Sequence, residues 1–114
     1  MTLEQIIEKQ VETYNARDLE GYMALFHPDV EIFDFPGALL MRGAGAVRER
    51  YGALFRDKPQ NCMVLHDRHS LGNRIIDHET VYRDGPDGEA MTLVTVYEIQ
   101  DGLIKRVDFI RRLD

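Results

Sequence analysis

Apolar residues at the start of the chain fall at Leu3, Ile6, Ile7, Val11 and Tyr14, with Gln10 on the same stripe. Spacings of three and four place them on one helical face. Thr2 followed by Gln5 predicts a capping-box start. Gln10 is either a boundary residue, a side chain bonded to backbone, or a hydrogen-bond donor pointing into a cavity. Asn15-Ala16-Arg17 interrupts the pattern, and Asp18 is a suitable N-cap for a second helix. Leu19, Tyr22, Met23, Leu25 and Phe26 form the apolar face of that helix. Pro28 disfavours helical backbone at His27, so His27-Pro28-Asp29 is expected to stop it, with His27 at the helix C-terminus.

From residue 30 the period changes to two. Val30, Ile32 and Asp34 share one face of a strand, and Glu31, Phe33 and Phe35 the other. Pro36-Gly37 predicts a turn, Leu39-Leu40-Met41 a short strand and Arg42-Gly43-Ala44-Gly45 a loop. Val47, Tyr51, Leu54 and Phe55 repeat at helical spacing, and Lys58-Pro59-Gln60-Asn61 ends that third helix. Strands are predicted over 62–71, 74–83, 90–100 and 103–112. Gly72-Asn73 and Asp101-Gly102 are tight hairpin signals, and residues 84–88 form a longer loop. Helices first and an antiparallel meander later predict an α+β fold.

The 114 residues suffice for one domain with its own core. The net charge of −6 and the lack of a basic cluster argue against nucleic acid and anionic membranes. No apolar run approaches the length of a membrane span, and the N-terminus lacks the marks of a signal peptide. A single cysteine, Cys62, allows no internal disulfide and fits a reducing compartment, so a cytoplasmic location is expected. There is no phosphate-binding glycine loop, no C-x-x-C and no nucleophile elbow. His66 and His69 are expected on opposite faces of their strand, so no metal site is expected, and no cofactor.

One carboxylate stands out. Asp34 lies on the Val30/Ile32 face, where a lone acid is costly or changes its pKa. Desolvation is expected to raise that pKa unless a donor such as Arg111 offsets it.

N-A-R-D-L-E-G-Y-M-A-L-F-H-P-D-V followed by F-D-F-P-G, then R-G-A-G-A-V-R-E-R-Y, then E-I-Q-D-G-L-I-K-R-V-D-F-I, resembles the nuclear transport factor 2-like superfamily. Within it the chain is most similar to the SnoaL-like and ketosteroid isomerase-like proteins. The resemblance implies a cone: a strongly bent, mostly antiparallel sheet around three N-terminal helices, as in cystatin-like folds. It also implies an apolar pocket and a homodimer formed through the outer sheet face. It places the isomerase's general base at Asp34. The isomerase's oxyanion-hole tyrosine corresponds to Gln10, and its protonated aspartate to Thr95, two residues before Tyr97. On this alignment Asp77, Glu79 and Val81 face the cavity, with His78 and Tyr82 outward, and Val107, Phe109 and Arg111 face inward. A one-residue slip would exchange the sets.

Three functions stay open at this stage. The first is an isomerase or lyase acting on a small hydrophobic carbonyl compound. In it Asp34 is the base, and Gln10, Tyr14 or Thr95 steadies the oxyanion. Glu79 is either a salt-bridged structural acid or a catalytic one, and Arg111 either pairs a cavity carboxylate or holds a substrate anion. The second is a ligand-binding protein without turnover, and the third a purely structural dimerisation module. An open cavity separates the first two from the third.

Overall fold

The computed structural model describes residues 1–111. It has three helices, α1 (Leu3–Ala16), α2 (Leu19–Met23) and α3 (Ala44–Asp57). Six strands complete it: β1 (Phe26–Asp34), β2 (Ala38–Arg42), β3 (Cys62–Leu71), β4 (Arg74–Tyr82), β5 (Ala90–Gln100) and β6 (Leu103–Arg111). Arg112, the expected last residue of the final strand, lies outside the described residues.

The local signals account for most boundaries. The Gln5 amide donates to Thr2 Oγ1 at 3.1 Å and the Thr2 amide to Gln5 Oε1 at 2.8 Å, which closes the capping box of α1. Arg17 ends α1 in the left-handed region, at φ 54°. Asp18 caps α2 by accepting from the Gly21 amide.

Two boundaries differ from expectation. The second helix stops at Met23, and β1 already begins at Phe26 and runs through Pro28. His27 is therefore a strand residue, its Nδ1 accepting from the Asp29 amide. The pairing of β1 with β6 skips from Phe26↔Ile104 to Glu31↔Arg106. That bulge absorbs the missing N–H of Pro28, which a regular ladder would not tolerate. The third helix begins at Ala44, inside the expected loop, because Gly43 takes φ 86° as its N-cap.

The six strands form one sheet in the order β2-β1-β6-β5-β4-β3. Every neighbouring pair is antiparallel except β1 and β6. Register shifts at Ile32/Phe33, Leu65/Asp67 and Glu98/Ile99 bend the strands. The curved sheet closes around the helices, and Ile7, Val30, Ile75, Ile104 and Val47 fill the core between them. The bulge at Leu65/Asp67 also resets the alternation of β3. His69 now pairs with outward Ile76, and His66 Nε2 lies 2.6 Å from Thr80 Oγ1, so the two histidines share the outer side rather than opposing each other. Among the described residues no three His, Cys, Asp or Glu side chains cluster as metal ligands. No helix of the described residues is long and apolar enough to cross a membrane.

Strand direction fixes the two ends of the cone. The C-terminal ends of β1, β4 and β6 and the N-terminal end of β5 lie together at one end. Deeper along β4, the fully buried Asp77 accepts from Arg68 Nε at 2.7 Å and Nη2 at 2.9 Å. A buried pair of this geometry satisfies both ions.

Candidate functional site

The open end of the cone leads into a cavity of about 130 Å³. Tyr14, Tyr22 and Tyr51 come from the helical faces, and Ile32, Val81, Leu93 and Val107 from the concave face of the sheet. Tyr22 is the hub of the aromatic wall, 5.1 Å from the Tyr51 ring and 5.0 Å from Phe26. A wider vestibule outside the cavity shares Arg50, Val81, Arg83, Met91 and Arg111 with it, and adds Asp34, Asp84 and Glu89.

β4 carries the chemistry. Period-two alternation sends Asp77, Glu79 and Val81 inward and leaves His78 exposed, in the expected register. Glu79 is 2% exposed and lines the cavity. Its Oε1 accepts from Thr95 Oγ1 at 2.6 Å, and its Oε2 has no partner among the described residues. No cation lies within ion-pair distance of it there, so the salt-bridged role weighed for Glu79 is not what the site holds; Arg68 is committed to Asp77 instead. Burial pushes the Glu79 carboxyl up to about 7, and the Thr95 hydrogen bond only partly counters this. The group thus changes protonation in the neutral range, as an acid–base residue requires.

Gln10 is buried and lines the cavity. Its Nε2 lies 3.5 Å from the Tyr22 hydroxyl, and the Tyr97 hydroxyl donates to its Oε1 at 3.4 Å. Both contacts are near the outer limit for hydrogen bonds, so the amide is only loosely committed. Burial raises the pKa of Tyr22 and Tyr97 well above the ordinary tyrosine value, which keeps both hydroxyls as donors. Tyr14 also lines the cavity and its hydroxyl accepts from Arg83 Nη1 at 2.6 Å. Thr95 does not reach the cavity. It stands behind Glu79 and orients it, which removes it from the oxyanion candidates.

Asp34 sits at the rim. Its carboxylate meets Arg111, with Nη2–Oδ2 at 2.8 Å and Nε–Oδ1 at 3.1 Å. Its side chain is 32% exposed and borders the vestibule, not the inner cavity. The Arg111 hydrogen bonds outweigh desolvation and hold its carboxyl below the ordinary range. The offset allowed for in the sequence is therefore the one that operates, and Arg111 pairs a carboxylate at the mouth.

The sequence does not mark Arg83, Tyr22 or Tyr51 as site residues. A signal for Arg83 existed: the alternation through 77, 79 and 81 continues to 83. The two tyrosines were legible only as apolar faces of helices.

The sequence model of the SnoaL-like domain family matches residues 7–107. Among solved structures, an uncharacterised cystatin-fold protein from Novosphingobium aromaticivorans superposes with a TM-score of 0.89 at 27% identity, over 97% of this chain and 99% of that one. A putative polyketide cyclase from Sinorhizobium meliloti gives 0.77 at 20% identity, over 92% and 93%. A putative ketosteroid isomerase from Kribbella flavida gives 0.79 at 19% identity, over 98% and 78%. No curated protein matches the chain.

Proposed function

This chain belongs to the SnoaL-like domain family, within the nuclear transport factor 2-like superfamily, and from that footing we propose that it moves a proton on a small hydrophobic carbonyl compound, as an isomerase or lyase. The single observation behind this reading is Glu79: a cavity carboxyl with one oxygen anchored by Thr95, the other unpartnered, and a pKa of about 7. The likeness to structures described as a polyketide cyclase and a ketosteroid isomerase is compatible with it.

The chemistry follows from the surroundings of Glu79. Its ionised form takes a proton from the carbon beside the carbonyl, and the electron pair moves onto the carbonyl oxygen. Tyr97, Tyr22 or the Gln10 amide supplies hydrogen-bond donors to that oxygen. In an isomerase Glu79 returns the proton to a different carbon. In a lyase the electrons instead expel a leaving group. Asp34 was the base expected from alternation. In this proposal Glu79 takes that role, because Asp34 is ionised, paired and outside the inner cavity. A base matched to neutral pH works better than one held well below it.

The test is exchange of deuterium from heavy water into the position beside the carbonyl, across a panel of small cyclic and aryl ketones. Glu79→Gln keeps the shape and the Thr95 contact but removes the base. A fall in exchange rate of about a hundredfold or more in folded Glu79→Gln is expected. An undiminished rate would remove Glu79 from the mechanism. No exchange with any ketone would favour the non-catalytic binder.

A further inference from the structure

We infer that the cavity takes an anionic ligand, a small aromatic or alicyclic carboxylate, with its ring inside and its carboxylate on Arg83 at the mouth. The inference names a substrate class for the site proposed above and rests on that site being a ligand pocket.

Among the described residues Arg83 is held without being neutralised. Its Nη1 donates to the Tyr14 hydroxyl at 2.6 Å and to Asn61 Oδ1 at 2.8 Å, and both acceptors are uncharged. Those two bonds use both hydrogens of Nη1 and fix the plane of the guanidinium. Nε and Nη2 are left with no protein acceptor among the described residues, which is the edge that meets a carboxylate side-on. No carboxylate lies within ion-pair distance of Arg83 or Arg50 among the described residues. Both arginines line the cavity and its vestibule.

Among the described residues, the acids at the mouth have other neighbours or stand further out. Asp34 is taken by Arg111, and Asp84 by Lys58 at 2.9 Å. Glu89 is exposed and borders only the vestibule. A half-buried cation without a counterion is costly, and in a chain of net charge −6 its retention at the pocket mouth is not a by-product of a basic surface. An incoming carboxylate supplies the missing charge. The Tyr14 hydroxyl, which accepts from Arg83, lies beside it and lines the same cavity.

Size and polarity set the rest of the ligand. A dry cavity of roughly 150 Å³ accommodates one benzene ring, so about 130 Å³ limits the buried part to a single ring. Glu79 and Arg83 are four residues apart on one face, about 13 Å of extended chain. That separation keeps the ligand's carboxylate away from Glu79 when the latter ionises, and it orients the molecule ring first.

The experiment is calorimetric binding of 3-phenylpropionate against 3-phenylpropionamide, which share shape and differ in charge. The carboxylate should bind about tenfold tighter or better, given two charge-assisted bonds. Arg83→Met should bring it to within about twofold of the amide, and Arg83→Lys, which keeps charge without the fork, should weaken the preference. If Arg83→Met does not fold, Arg83→Lys decides alone. Equal binding of acid and amide to the native protein, or a preference undiminished by either substitution, overturns the inference. Glu79→Gln should retain the preference, so an exchange rate undiminished in that variant, with anion binding intact, would reject the catalytic reading and leave this one standing.

Discussion

Glu79 links the chemistry of the cavity to the stability of the fold. Its carboxyl rises from an ordinary 4.5 to about 7 because it is buried. Below pH 4.5 it is protonated in both folded and unfolded chains and has no effect. Between pH 4.5 and 7 the unfolded chain releases a proton that the folded chain retains, so stability falls as pH rises. Above pH 7 the full cost applies, on the order of 3 kcal/mol. Glu79→Gln has no charge to bury. Thermal denaturation should show it more stable than the native protein at pH 8, with the gap closing at pH 4. A gap that is the same at both values would mean the acid is not desolvated. Asp34 illustrates the limit of reading single residues. Alternation correctly puts it on the Val30/Ile32 face, but not at the open end of the cone, where Arg111 and water reach it. Glu79 was legible as an inward residue only to within one step of register. Its lack of an ionic partner depends on Arg68 choosing Asp77, a contact between β3 and β4 that no local pattern encodes.

The elements were legible wherever periodicity and chain-breaking residues agreed. The α1 cap, the α3 face and the β3–β4 and β5–β6 hairpins all follow from local sequence. β1 starts earlier than the local pattern implies: Pro28 reads locally as a terminator, but tertiary pairing with β6 accommodates it in a bulge. The outer face of the sheet carries a prediction at this scale. Val64 is 45% and Ile110 36% exposed, with Val94 and Val96 half-buried between them. Phe33 is covered on one side by the Arg106 guanidinium, 4.0 Å from its ring centre. Apolar faces of this kind gain by being covered, and a two-fold pairing of identical faces is the simplest closed arrangement. We propose a homodimer through this face. Light scattering at micromolar concentration should give twice the 13.2 kDa chain mass, and Val94→Lys should shift it to the monomer. A native protein of monomer mass would remove the proposal.

At the scale of the whole molecule, the cone follows from the order of elements, but the working end follows from strand direction. Parallel pairing of β1 with β6 brings Asp34 and Arg111 to the same rim as Arg83. Strand lengths and turn signals predict a meander. They do not say which strand ends meet at the mouth, and this is why the arginine-lined entrance was not visible beforehand. The account places a neutralisable acid deep in the cone and a cation at its entrance, so its central claim concerns the protonation of Glu79 in the folded protein. Carbon-13 NMR of the glutamate side-chain carboxyls, with Glu79 assigned by its absence in Glu79→Gln, reads that state directly. The account predicts a titration midpoint near 7 for Glu79. A midpoint close to the ordinary 4.5 would contradict it.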